Sequence, residues 1–216
     1  MSSWQRPQLP DLTAVDEHGA AFTYGRRWVD GPSDDAYSRT SHLERFAPLH
    51  DVARALVAHL VENYEVEVEP VDRVGRPDAV AQPVVEGWRL TPAPGQAVVT
   101  IGLTDFPGVM VETGLLGSAG VPHCGCDACD ESAEGSADSF EQTVFDAVLG
   151  PFREWSRPSR DRAGGWVTGS ETGSGWGEAQ LELADVERDT LERAAGLPAR
   201  WEPWTRRDAG EAGRAS

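Results

Sequence analysis

The chain has 216 residues, 39% of them hydrophobic, and a formal net charge of −17 from 36 acids against 19 bases. That length suffices for one domain with a real core, so neither metal nor disulfide is needed to replace burial. The acidity speaks against nucleic acid, whose phosphates need a basic face, and against anionic membrane surfaces. Solubility explains the charge without any acidic-mimic role. All of the basic residues are arginine, with lysine absent, a coding bias expected of a GC-rich genome.

Residues 1–21 are read as a flexible N-terminal arm carrying Pro7 and Pro10. No apolar run reaches the length of a membrane span and the opening residues do not resemble a leader, so a cytoplasmic protein is expected. A single α+β domain is expected over 22–204, followed by a disordered tail over 205–216. Scattered aromatics follow the arm, and Gly31-Pro32-Ser33-Asp34-Asp35 marks a turn. Trp28 behind Arg26-Arg27 is read as closing the edge of the core, with ligand stacking as the alternative.

Ser41-His42-Leu43-Glu44 fits a capping box, and Pro48 suits the first turn of a helix running to about Tyr64. Leu49, Val52, Ala53, Leu56, Val57, Leu60, Val61 and Tyr64 share one face of that helix. His59 falls on the other side and is read as a solvated surface histidine. Glu65 to Glu69 alternates apolar and acidic residues until Pro70 stops it. After a loop over about 71–83, strands are expected near 84–91, across Ala97 to Leu103, and from Val109 to Leu115. Pro107-Gly108 suits a type II turn between the last two. The fold class is therefore α+β, an antiparallel β-meander sheet packed by helices.

Past the glycines at 114, 117 and 120 comes His123-Cys124-Gly125-Cys126-Asp127-Ala128-Cys129-Asp130-Glu131, which holds every cysteine of the chain. Three thiols in six residues converge without long-range folding, and Gly125 permits a tight backbone between two of them. Zinc prefers four tetrahedral nitrogen or sulfur ligands. Cys124, Cys126 and Cys129 supply three, His123 is the nearest fourth, and His50 and His42 are the remote ones. The reading is a structural zinc site that pins a crossover of low apolar content over 116–137. Two others compete: a Cys126-Cys129 redox pair, and three inert reduced thiols. The acids Asp127, Asp130, Glu131 and Glu134 push thiol pKa values up, against the redox pair, and suit a cation.

A second helix is expected to begin after the acidic stretch 131–138, striped by Phe140, Val144, Phe145, Val148 and Leu149 and interrupted by Gly150-Pro151. Residues 156–165 read as a hinge. Trp166-Val167-Thr168 and Trp176 to Leu183 read as a hairpin whose tryptophans pair across the strands. A short helix near 184–195 follows, and Arg200 to Trp204 is expected to dock on the core.

Tyr37-Ser38-Arg39-Thr40-Ser41-His42-Leu43-Glu44-Arg45-Phe46, with Cys124-Gly125-Cys126-Asp127-Ala128-Cys129-Asp130-Glu131, resembles an uncharacterised actinobacterial family of unknown function over roughly residues 35–155. The resemblance implies an actinobacterial origin and no activity. The element order is similar to the secretion-chaperone-like fold, which says little about function. His42-x-Glu44 with Cys126-x-x-Cys129 resembles the two halves of a zinc deaminase site. Gly125 stands where that pattern has proline, and Cys124 would fill the position that a catalytic zinc keeps for water. Asp35, Arg39 and Arg45 are read as surface ion pairs, with an anion pocket as the alternative. Function thus divides between a binding or scaffolding domain with structural zinc, a zinc-dependent hydrolase or deaminase, and a metal-free acidic domain. The partner is an unknown protein or small molecule.

Overall fold

The computed structural model describes residues 3–10, 12–16, 18–75, 82–150, 152–158, 165–171, 176–182, 196 and 200–208. A short hairpin, β1 (Thr13–Val15) and β2 (Ala21–Thr23), opens the chain and precedes helix α1 (Leu49–Asn63). Strands β3 (Glu67–Pro70), β4 (Arg73–Val74), β5 (Gln82–Pro83), β6 (Glu86–Thr91), β7 (Val99–Leu103), β8 (Val109–Thr113) and β9 (Gly117–Val121) follow. Helix α2 (Ala133–Leu149) leads to β10 (Arg153–Pro158), β11 (Gly165–Glu171) and β12 (Trp176–Glu182). The fold is α+β. Its main sheet is antiparallel in the order β3-β6-β7-β8-β9, and β10-β11-β12 form a second antiparallel sheet.

Alternation in the main sheet decides which residues meet the helices. Register pairs Leu90 with Val99, Trp88 with Ile101, Ile101 with Val111, and Leu103 with Val109. Residues directly opposite in an antiparallel ladder share a face, so these side chains form one apolar surface. Leu49, Val52, Leu56 and Leu60 of α1 and Phe140, Val144 and Val148 of α2 join it in a single buried cluster. β7 is buried at every position because its second face is covered as well. A Cβ at Gly102 would lie 2.6 Å from both Val74 and Val84, so only glycine lets that layer approach.

Helix α1 matches the expected span and buried face. Its start does not: no side-chain cap forms, because a 3-10 turn over Leu43–Phe46 precedes it and His42 takes a left-handed backbone, φ 52°. The Ser41 hydroxyl is drawn to Asp127 instead. His59 is half-buried, its ring 5.4 Å from that of Trp4 and 6.5 Å from that of Phe145. The strand ends at Pro70 as expected, though it starts at Glu67 and includes the proline; Pro70 pairs with Trp88 on an edge strand, where its missing N–H costs no ladder bond. Gly108 has no positive φ, and its N–H turns back to Phe106 O, so the β7–β8 turn is not type II.

The glycine stretch 117–121, expected as a loop, is β9. Its low apolar content hides it, yet small residues are what the site demands. Gly120 lies opposite Met110, whose sulfur would be 2.9 Å from a Cβ there. Helix α2 begins earlier than the apolar stripe suggests. Ser132 caps it by accepting the Gly135 N–H at 3.1 Å. Residues 156–158, read as hinge, belong to β10. The tryptophans do not pair with each other across the hairpin: Trp166 opposes Leu181 and Trp176 opposes Glu171. The helix expected near 184–195 lies outside the described residues.

The segment after residue 200 docks as expected. Trp204 is buried, donates its indole N–H to Ala97 O at 2.8 Å, and sets its backbone N–H on Val148 O. Beyond it the Glu65 N–H donates to Thr205 O, and the Arg207 N–H to Asn63 O. Near the N-terminus, Arg6 reaches Glu141 at 2.6 Å.

Candidate metal centre

The cysteine loop runs from the end of β9 to the cap of α2. A cis Val121–Pro122 bond opens it, a 3-10 turn over Asp127–Cys129 forms its tip, and Asp130 closes it at φ 51°. This geometry brings the three sulfurs together. Cys124 Sγ lies 3.3 Å from Cys126 Sγ, which lies 3.4 Å from Cys129 Sγ. Those are separations between unbonded atoms, and all three thiols are free. The three donor atoms fall within 4.8 Å of one another, so the group can hold a metal ion. The Cys126 N–H points at Cys124 Sγ at 3.4 Å.

The thiols also share protons. The Cys126 thiol is held below its usual range, chiefly by the hydrogen bond with Cys124. The Cys129 thiol is pushed up to about 12 by its bonds with Cys126 and Cys124. The proximity that makes the first thiolate easy makes the last difficult, as for any cluster of like charges. A cation among them reverses that penalty.

The acids flanking the cysteines are occupied by the loop itself. Glu131 accepts the N–H groups of His123 and Cys124, each at 3.0 Å, and the Ser136 hydroxyl at 2.8 Å. Burial alone would raise its carboxyl, but these donors hold it below the usual range. Asp127 is 1% exposed and accepts the Ser41 N–H at 2.8 Å and the Ser41 hydroxyl at 2.9 Å. Its carboxyl is likewise held low against burial by Ser41 and Arg27. Asp127 also donates its N–H to Arg39 O at 2.9 Å and accepts the Trp28 indole N–H at 3.1 Å on its carbonyl.

Arg45 completes the bracket. At 2% exposure it is no surface residue. Its guanidinium donates to Glu131 O at 3.0 Å, Ser41 O at 2.6 Å and His42 O at 3.1 Å. It sits 3.9 Å from the Tyr24 ring centroid and 4.1 Å from that of Phe46, the stacking a planar cation prefers. One buried arginine therefore ties the cysteine loop to the turn before α1. Gly125 packs against that turn, where a Cβ would meet Leu43 Cδ2 at 3.2 Å. Close approach, not a positive φ, is what this glycine supplies.

The histidines are placed differently. His123 has a side chain 65% exposed and lies 3.4 Å from Glu131 Oε1. His50 Nε2 is 3.1 Å from Gly108 O, and His42 Nδ1 is 3.2 Å from Glu44 Oε1. Of the described residues, only the three cysteines form the close donor group. The sequence names the thiols but not Arg45, Ser41 or Arg27 as their supports. Only the short spacing from Ser41 to Arg45 and the acids at 127 and 131 hint at that bracket.

Fold and loop together describe an α+β domain with a three-thiol cluster at the junction of its sheet and second helix. The chain belongs to DUF6226, a family of unknown function whose model matches residues 10–208. No curated protein and no solved structure matches it. Among the described residues, no helix is long and apolar enough to cross a membrane.

Proposed function

We propose that Cys124, Cys126 and Cys129 hold a structural zinc ion and that the domain acts as a binding or scaffolding module rather than an enzyme. The convergence of the three sulfurs within 4.8 Å carries this reading. Soft thiolates select zinc over hard cations, and zinc's lack of redox chemistry suits a fixed cross-link. The surroundings fit a structural role. Glu131 and Arg45 orient the loop through its backbone, the outer bracing that structural metal sites use. His123 supplies the fourth ligand by leaving Glu131, to which it is held only at 3.4 Å on the surface.

A hydrolase or deaminase would keep the fourth position for water and need a protected proton relay. His42 and Glu44 bond to each other with side chains 37% and 73% exposed, which offers no such protection.

Elemental analysis and X-ray absorption on protein purified under reducing, chelator-free conditions test the proposal. One zinc per chain in a shell of three sulfurs and one nitrogen is expected, with loss of the ion in Cys126→Ser and a changed shell in His123→Ala. Three sulfurs plus a water oxygen would favour the enzyme. Protein without metal would leave reduced thiols alone.

A further inference from the structure

Beside the cysteine loop, and sharing Asp127 with it, lies a cavity of about 560 Å³. Its walls come from the β1–β2 hairpin, the segment at 27–28 and the stretch 33–42 before α1. Arg27, Arg39, His18 and His42 line it, with Phe22 and Trp28 among the apolar surfaces. In a chain of net charge −17, two guanidinium groups in one hollow offset its two carboxylates, Asp16 and Asp127. We infer that this cavity binds a small molecule through an oxyanion, a carboxylate or a phosphate, received by Arg27 and Arg39. The inference rests on the reading of the domain as a binding module and is independent of which metal the thiols hold.

Two observations select an anion over a cation. Both carboxylates of the cavity are already engaged by the protein. Asp16 Oδ1 accepts the N–H groups of His18 and Ala20, each at 2.8 Å, and Asp127 accepts both donors of Ser41. The arginine beside them is paired by charge, but one of its nitrogens lacks a hydrogen bond. Arg27 Nη1 is buried and makes no hydrogen bond to any described residue; its nearest carboxylate oxygen, Asp127 Oδ2, is 3.4 Å away. A buried guanidinium nitrogen that has a counter-charge but no hydrogen bond can still take an acceptor, and a planar oxyanion is its natural complement.

The guanidinium is also fixed in place. It lies 4.2 Å from the Phe22 ring centroid and 4.5 Å from that of Trp28, and the Arg27 N–H is anchored on Asp130 Oδ2 at 2.8 Å. A donor held by two rings loses little freedom when a ligand arrives, so binding is preorganised. Arg39 pairs with Asp35 at 3.3 Å at the rim. It can exchange that partner for an incoming anion without exposing a buried charge.

Calorimetric titration of the full chain with inorganic phosphate and, separately, with benzoate tests the inference, alongside nitrogen-15 spectra of the tryptophan indoles. Saturable binding of at least one probe with a dissociation constant below about 1 mM is expected, with the Trp28 indole signal shifted. Phosphate alone would mark the ligand as a phosphate ester, and benzoate alone as a carboxylate on a flat ring. Arg27→Gln and Arg39→Gln should each weaken binding about tenfold; the second side chain lies at the rim, so that variant folds even if the first does not. No binding of either probe up to about 10 mM, or unchanged affinity in Arg39→Gln with an unmoved Trp28 signal, overturns the inference. Zinc content measured on the same samples keeps the two proposals apart. Anion failure in zinc-loaded protein sinks only the cavity, and anion binding in metal-free protein sinks only the metal.

Discussion

The helix-covered sheet and the cysteine loop are ordered by different forces. Between α1, α2 and β6–β8 the contacts are apolar, and the cluster includes Phe46, Leu56, Ile101, Leu103 and Phe140. Such burial is non-directional, so many arrangements of similar side chains would serve. The loop at 122–131 has little apolar surface and is held by directed bonds from Ser41, Arg45, Glu131 and Trp28. The first region explains why the chain folds. The second explains why one short stretch of a folded chain has a single shape. Damage to the core should therefore melt everything, whereas damage to the bracket should loosen only the loop.

The sharpest way to break this contrast is through the core. Phe140→Ala, at a site 1% exposed, should cost about 3–5 kcal/mol in urea unfolding, with one cooperative transition. If the loop alone responded, the division would be wrong. Glu154 is a harder test because it is polar and yet belongs to the core side. It is 4% exposed and accepts the N–H groups of Leu115, Leu116 and Gly117 and the Trp201 indole. Burial pushes its carboxyl up despite those donors. Glu154→Gln puts an amide N–H₂ among donors, and a loss of about 2–4 kcal/mol is expected, again by urea unfolding.

Arg45→Ala addresses the bracket. It removes the tie to Glu131 and Ser41, and about 2–3 kcal/mol should be lost locally. Hydrogen exchange at residues 123–131 should accelerate strongly while exchange in β7 changes little. Uniform acceleration would mean that loop and core are one cooperative unit. The smallest effect concerns His59, whose ring packs beside those of Trp4 and Phe145. Burial lowers its pKa, with Glu62 opposing and Arg206 assisting. The unfolded chain therefore binds the proton more readily than the folded one. The contribution is present above the unfolded value near 6.5 and is lost as pH falls through the lower, folded value. A midpoint that declines less below neutral pH in His59→Phe than in the parent confirms it; equal slopes would refute it.

Much of the fold was legible in the chain because it rests on periodicity. The seven apolar positions from Leu49 to Val61 announce α1, and alternation in β6 and β7 announces the sheet. The cysteines announce their own cluster, since C-x-C-x-x-C constrains the sulfurs whatever surrounds them. β9 was invisible for a physical reason: a strand opposite Met110 and Thr113 needs glycines, and glycines read as loop. The missing cap at Ser41 has the same kind of cause, because a local hydrogen bond lost to a buried carboxylate 86 residues away.

By itself, the order of residues determined the α+β class, the buried faces and the identity of the thiols, all of which depend on neighbours a few positions apart. The tertiary structure alone decided what those neighbours could not: that Arg45 is buried and clamps the loop, that Asp127 is held by Ser41 and Arg27, and that Arg27 and Arg39 face one cavity. The first two are polar contacts made between single atoms, and the third is a shared wall. Such contacts leave no period in a sequence, and only the folded backbone brings their partners within reach.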